Sequence, residues 1–491
     1  MRTFLLVLLV CHQSAVAVAA SDGAPLRAGA ATGDITPPLG TLRVGGFVPY
    51  PTEHVHDPLH ARCLVLDDGH TKLALVVCDL LGLHRSVSLE ARRLIQENTG
   101  IPPSHVLISA THTHSAGSAL GESRFANDQT LDDYQRFLAR RIADVVRCAD
   151  NLLRPAEIAF DSIDAPEHLI NRRWLLREGE ERLNPFGEPE RAWKTGAPSE
   201  EFTGPAGPVD PALSFLAARE VGGRPIGVFA AYSLHYAGDT APGDISADYF
   251  GMFCEILKRR LGELEGDPPF VAMMANATSG DIGLNLRTHR LAGPRGSYQR
   301  SLAVAGDLAS RVHAALEHAT WRGHATLDAR YREADIAWRA IEPELLEWAK
   351  DVEATAPRLS EGNIPIGASW PTTPEWVTRL SYAGRVQRLA KAERPAKVPL
   401  QVLRIGDVCF ATTPCETYAE IGLEFKRRSA IARSFMVQLN HGYLGYLPTP
   451  RQFKFGEYST WPGTNFLEPA ASEKMLDQLL EMVAEVAATA D

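Results

Sequence analysis

Two histidines stand two residues apart in Ser109-Ala110-Thr111-His112-Thr113-His114-Ser115, directly after the apolar run His105-Val106-Leu107-Ile108. If that run is a strand, side chains two apart face the same way. Both rings then reach one ion or one substrate at the strand's end, where open α/β sheets bind their ligands. Three more polar clusters interrupt apolar runs: His235 in Ser233-Leu234-His235-Tyr236, Glu416 in Thr413-Pro414-Cys415-Glu416-Thr417, and the loop Asn440-His441-Gly442-Tyr443-Leu444-Gly445-Tyr446. Two neutral imidazoles and a carboxylate are a common zinc ligand set that leaves a position for water. Such a metal lowers the pKa of its water toward neutrality and polarises a carbonyl. Spacing alone does not join these clusters. A strand-end histidine is as readily a hydrogen-bonded structural residue, a Pro-Cys-Glu turn a helix N-terminus with a favourable early acid, and a tyrosine-rich loop packing material. From the residues alone, metal-assisted hydrolysis is the chemistry the clusters permit.

The elements that must position these groups alternate. Leu73 to Asp79 and Val106 to Ala110 read as buried strands, with helical periodicity over Leu89–Gln96 and Tyr134–Leu152. Ile226 to Tyr236 reads as a strand with His235 near its end, Tyr249 to Leu261 as a helix, and Phe270 to Ala275 as a strand before the turn Ser279-Gly280-Asp281. Glu178 to Gly207, rich in Pro, Gly and charge, reads as a long surface loop. Trp338 to Glu353 and Trp376 to Ala392 read as helices around a Pro-rich 356–375 connection. Leu400 to Phe410 returns to strand, Phe435–Leu439 is a short apolar run, His441 to Phe466 a loop, and Ala471–Ala488 a closing helix. The alternation predicts an α/β fold with a mixed, largely parallel central sheet flanked by helices.

The whole chain sets outer bounds. Arg2, the apolar Phe4 to Val10 and the small residues Ala15 to Ala20 read as a signal peptide over residues 1–20. Its apolar run is too short to span a bilayer. Export, to the periplasm or the medium, is the expectation, with residues 21–491 as one folded unit. A hydrophobic content of 45% and a charged content of 22% suit a globular protein. The net charge of −10 and the lack of a Lys/Arg cluster speak against a nucleic-acid partner. No later stretch is long and apolar enough for a transmembrane segment, which leaves peripheral membrane contact open. Of the seven cysteines, Cys11 falls in the signal region, and Cys63, Cys78, Cys148, Cys254, Cys409 and Cys415 form no C-x-x-C pair. Buried free thiols are the favoured reading, with a Cys409/Cys415 bridge as the alternative.

At the same residues the chain resembles the neutral/alkaline, non-lysosomal ceramidases, which are zinc-dependent amidases. The Ala-Thr-His-Thr-His-Ser string matches the family signature almost letter for letter. The match continues through Gly33-Asp34-Ile35-Thr36-Pro37, Asn171-Arg172, Val209-Asp210-Pro211, His235, Pro399 to Asp407, Pro414-Cys415-Glu416, Gly442 to Tyr446, and Tyr458 twelve residues later. The resemblance implies zinc held by His112, His235, Glu416 and Tyr446. It casts His114 as an acid/base or oxyanion-stabilising imidazole, with Arg172 and Tyr458 on the substrate carbonyl, where fixed donors meet developing negative charge. It implies a small-molecule or lipid amide substrate, ceramide or a related N-acyl amide, cleaved by zinc-activated water.

Two departures accompany the resemblance. Gly283, in Ser279-Gly280-Asp281-Ile282-Gly283-Leu284-Asn285, stands where the family carries a serine at the reacting carbonyl. The chain also ends soon after its last motif, which reads as a single large catalytic domain without the family's C-terminal immunoglobulin-like domain. The alternatives to a ceramide-type amidase are a hydrolase of a different amide or ester, and a catalytically inactive homologue that binds zinc or lipid.

Overall fold

The computed structural model describes residues 24–46, 49–264, 266–289, 296–357, 373–393 and 395–489. The signal peptide expected at residues 1–20 and most of the 356–375 connection lie outside the described residues. An eight-stranded sheet runs in the order Val271–Asn276, Pro225–Tyr232, Ala212–Glu220, Arg154–Asp164, Arg27–Asp34, His60–Asp67, Lys72–Cys78, Val106–Ala110. A four-stranded sheet, Leu327–Ile336, Ala396–Ile405, Val408–Thr412 and Arg433–Val437, stacks on one of its faces.

The strands are apolar on both sides because both faces are covered. In Lys72–Cys78, Leu73, Leu75 and Val77 pack toward the second sheet. Ala74, Val76 and Cys78 pack toward the helices Arg85–Thr99 and Asp133–Asn151. Helices Asp248–Arg260 and Gln299–Leu316 cover the other half of the large sheet. Glu375–Ala390, Ala419–Arg428 and Ala471–Ala487 cover the outer face of the small one. The result is a mixed α/β fold of four layers, helices outside and two sheets within.

The expectation of a largely parallel sheet needs correction. Five neighbouring pairs in the large sheet are antiparallel and two are parallel. Connections such as 68–71 and 221–224 close hairpins, and they are too short for the crossover a parallel pair requires. Parallel pairing is confined to the sheet's two edges. Lys72–Cys78 pairs with Val106–Ala110 across helix Arg85–Thr99, and Pro225–Tyr232 pairs with Val271–Asn276 across helix Asp248–Arg260. A third parallel pair, Val408–Thr412 with Arg433–Val437, lies in the small sheet and crosses by helix Ala419–Arg428.

Two smaller expectations also change. The helix expected from Trp338 begins at Pro343, because a residue before proline is pushed out of the α region and proline itself suits the first helical position. Trp338 instead packs in the core beneath the small sheet. The segment 178–207 is not a plain loop. Its Ala192–Lys194 and Phe202–Pro205 strands flank Arg173–Leu176, and this turns Lys194 toward the site. The six described cysteines are free thiols, all buried except Cys148. Among the described residues no helix is long and apolar enough to cross a membrane.

Candidate functional site

His112 follows the strand Val106–Ala110 but does not continue it. Its φ of 72° is left-handed, and its N–H donates to Leu80 O at 2.8 Å. A non-glycine residue there costs on the order of 1 kcal/mol and persists only where the surroundings fix it. His112 and His114 therefore meet through this kink rather than through strand periodicity. Their Nε2 atoms lie 3.2 Å apart, with the rings edge to face. His235 comes from the other parallel edge, three residues past the strand Pro225–Tyr232.

The two rings are held in the same way. His112 Nδ1 donates to Leu81 O at 2.7 Å, and His235 Nδ1 donates to Ser279 O at 2.9 Å. A carbonyl can only accept, so each Nδ1 carries a proton, and each Nε2 is the nitrogen turned to the site. Glu416, just past Val408–Thr412, brings Oε2 to 3.3 Å from His112 Nε2 and 3.4 Å from His235 Nε2. Its Oε1 accepts from the Tyr443 hydroxyl at 2.5 Å. Buried His235 Nε2 and Glu416 Oε2 have no hydrogen-bond partner. Atoms bound at about 2.0–2.1 Å to one tetrahedral zinc lie about 3.3 Å apart, which is the spacing found here. The residues fit a metal ion, and the buried His112, His114 and His235 group can hold one.

Electrostatics agree with that geometry. Burial opposes ionisation of Glu416, yet His112 and the phenols of Tyr443 and Tyr446 hold its carboxyl below the ordinary range. Burial pushes His235 and His114 far down, helped for His235 by Arg172 and for His114 by His112, so both rings are neutral. His114 stacks on Tyr236 at 4.0 Å, and its main-chain oxygen accepts from Arg43 Nε at 2.9 Å. Gly45, at φ 116°, passes so close that a Cβ would sit 2.7 Å from His114 Nδ1.

Arg172 lies opposite. Its Nη2 donates to Gly280 O at 2.7 Å, Tyr446 Oη at 2.9 Å and Tyr458 Oη at 3.1 Å, and the two phenols bond each other at 2.5 Å. Burial works against its charge, but these phenols and Glu457 raise its pKa overall. Burial lifts both phenols well above their usual value despite Arg172, so they are protonated. Gly283 pairs with Ile170 beside this group, and an added Cβ would meet only Arg172, at 3.3 Å from its Cβ. Ser279 is behind His235, its hydroxyl 3.3 Å from His235 Nδ1 and accepting from Gln438, away from the reacting side.

All seven sequence-selected residues, His112, His114, Arg172, His235, Glu416, Tyr446 and Tyr458, thus converge from distant parts of the chain. Several supporting residues were missed. Asn276 Nδ2 donates to Thr111 O at 2.9 Å and His235 O at 3.2 Å, tying the sheet's two edges together. Gln438 Oε1 accepts from Thr417 N at 2.8 Å, which fixes the Glu416 turn. Gly280 lets the 279–283 turn lie against that segment, where a Cβ would come within 2.3 Å of Glu416 O. Tyr443 stands in the notable loop but had no role assigned. Arg124, Lys194 and Arg385 line the cavity over the site. Burial and then Arg172 bring the Lys194 ammonium down to about 7.

A family model described as neutral/alkaline non-lysosomal ceramidase, N-terminal, matches residues 26–303. The chain belongs to that family. The match spans His112, His114, Arg172 and His235, while Glu416, Tyr446 and Tyr458 lie beyond it. Among solved structures, neutral ceramidase from Pseudomonas aeruginosa is similar with a TM-score of 0.66 at 20% identity, covering 95% of this chain and 75% of that one. A structure described as ceramidase complexed with C2 gives 0.66 at 18% identity, covering 94% and 75%. At such identities these structures establish that this ceramidase-family chain shares their fold.

Proposed function

We propose that this chain is an exported zinc-dependent amidohydrolase that cleaves the linear C–N bond of an N-acyl amide, ceramide-like or related, with residues 21–491 as one hydrolase unit. The observation that carries the reading is the pair of buried atoms without partners, His235 Nε2 and Glu416 Oε2, set 3.4 Å apart beside His112 Nε2. His112, His235 and Glu416, with Tyr446 as fourth ligand, would hold the metal. A bound zinc supplies Lewis acidity and a water nucleophilic at neutral pH.

The chain's own groups do the rest. Arg172 and Tyr458 direct donors at the substrate carbonyl oxygen, where negative charge grows as the carbon becomes tetrahedral. Loss of one such donor typically costs about 10²–10³ in kcat. His114, neutral and with Nε2 facing the site, takes the proton from the attacking water and returns it to the amide nitrogen. Water adds OH to the carbonyl carbon, the C–N bond breaks, and the amine leaves with the proton. Gly283 leaves an open flank beside Arg172, so the family's serine has no counterpart and these groups act without a side-chain hydroxyl there.

A second ligand set, with His114 replacing Glu416, draws on the similarly close 3.2 Å approach of His114 to His112. The unpartnered Glu416 oxygen favours the first set. The test is a panel of N-acyl amides, esters and ceramides assayed with and without a chelator. Turnover of an amide that chelation abolishes and zinc restores is expected. Zinc bound with no turnover on any of them would replace this reading with that of a binding homologue, and turnover indifferent to chelation would exclude the metal. A mature N-terminus near residue 21 in the periplasm or medium tests export.

A further inference from the structure

The cavity above the candidate ligands has walls unlike those expected around a neutral lipid. It encloses about 80 Å³, and Leu81 is the one aliphatic side chain among the described residues that line it. Three cations face it from three separate segments: Arg124 from the loop before helix Asp133–Asn151, Lys194 from the strand Ala192–Lys194, and Arg385 from helix Glu375–Ala390. Each is steered by an aromatic ring. Arg124 Cζ lies 5.5 Å from the Tyr443 ring centre, Lys194 Nζ 5.0 Å from that of Tyr458, and Arg385 Cζ 5.1 Å from that of Tyr382.

Among the described residues, no carboxylate forms an ion pair with Arg124 or Lys194. The acid facing this cavity is Glu416, whose charge belongs to the candidate ligand triangle. Holding Arg124 and Lys194 in a small buried space with no carboxylate ion-paired to either is costly. The strain is visible in the Lys194 ammonium, lowered to about 7, and in Arg124, lowered by burial and by Arg385. A ligand that brings a negative charge repays that cost. Two alkyl chains and a neutral headgroup do not.

We propose that the substrate is an N-acyl amide carrying a carboxylate close to the scissile bond, as in an N-acyl amino acid, and that Arg124, Lys194 and Arg385 bind that carboxylate. The proposal rests on the amidohydrolase reading for the bond cleaved, and it adds the charge of the molecule that enters. A carboxylate a few bonds from the amide reaches the cations while the carbonyl faces Arg172 and Tyr458, since all of them line or adjoin one small cavity. Guanidinium forks suit a carboxylate's two oxygens, and lysine adds a point charge.

The test separates binding from turnover. N-octanoylglycine and its neutral isostere N-octanoylglycinamide are titrated into the chelator-treated protein by calorimetry. The acid is expected to bind at least tenfold more tightly. Lys194→Gln and Arg124→Gln should each bring the two within about threefold, while Lys194→Arg keeps the preference, separating lost charge from lost fold. Equal binding, tighter binding of the amide, or no binding of the acid up to about 10 mM overturns the proposal. Hydrolysis of both compounds is then followed in the zinc-loaded protein. Equal cleavage of the two supports the amidohydrolase and contradicts the anion preference. Preferential binding of the acid without cleavage of either supports the cationic subsite and contradicts the amidohydrolase.

Discussion

The floor and the mouth of the site are built by opposite rules. On the floor, three parallel strand pairs each give one candidate ligand from one strand end and a holder from its partner's loop. His112 is fixed by Leu81 O, His235 by Ser279 O, and Glu416 by the Tyr443 hydroxyl. Among the buried polar atoms there without a partner, His235 Nε2 and Glu416 Oε2 point at one spot. At the mouth, Arg124, Lys194 and Arg385 come from a loop, a short strand and an outer helix, and the first two have no carboxylate partner among the described residues. On the proposed function, the rigid sheet ends carry the reaction, and the loop, short strand and outer helix around them choose the substrate.

The largest effect is expected on the floor. Tyr443→Phe removes the hydroxyl that orients Glu416 while leaving the ring under Arg124, and should weaken zinc affinity about 10–100-fold in competition with a chromogenic chelator. Unchanged affinity would mean that Glu416 does not depend on its holder. At the mouth, the sign of a pH effect follows from Lys194. With its ammonium brought down to about 7 beside Arg172, and with Glu457 and Glu416 as the acids acting on it, the side chain is charged below that pH and neutral above it. The carboxylate of N-octanoylglycine stays ionised throughout this range. Its preference over the amide should therefore be several-fold greater at pH 6 than at pH 8.5, and Lys194→Arg should flatten the profile. A preference that rises with pH would contradict the role given to Lys194. The smallest effect lies between the two regions. Gly283→Ser adds a Cβ that meets Arg172 Cβ at 3.3 Å with otherwise open space. Stability in thermal melts should change by no more than about 1 kcal/mol. A loss of several kcal/mol would show that Arg172 cannot yield at all.

The floor was legible in the sequence because polar residues at the ends of apolar runs stand out. His112, His235 and Glu416 could each be picked that way, and the family resemblance added Arg172, Tyr446 and Tyr458. The reason the two histidines meet was not legible, since a left-handed residue at His112 leaves no mark in the pattern when the residue is not glycine. The α/β class followed from alternating periodicities, but apolar strands look alike whether their neighbours are parallel or antiparallel. A second sheet on the hidden face looks the same as a layer of helices. The mouth was silent. Arg124, Lys194 and Arg385 are lone cations in segments with no repeat or motif, and only tertiary folding shows that they share a cavity. Asn276 and Gln438 were missed for the same reason, being single amides whose value lies in what they tie together.

The central claim is that the three parallel strand pairs converge on one metal, with Glu416 rather than His114 as the third ligand. Elemental analysis of the zinc-loaded protein after gel filtration, beside Glu416→Gln, His235→Gln and His114→Gln, tests it most directly. The account predicts about one zinc per chain in the wild type and in His114→Gln. It predicts near-zero metal in the other two variants, with amide turnover lost in all three. Full zinc in Glu416→Gln together with its loss in His114→Gln would contradict it.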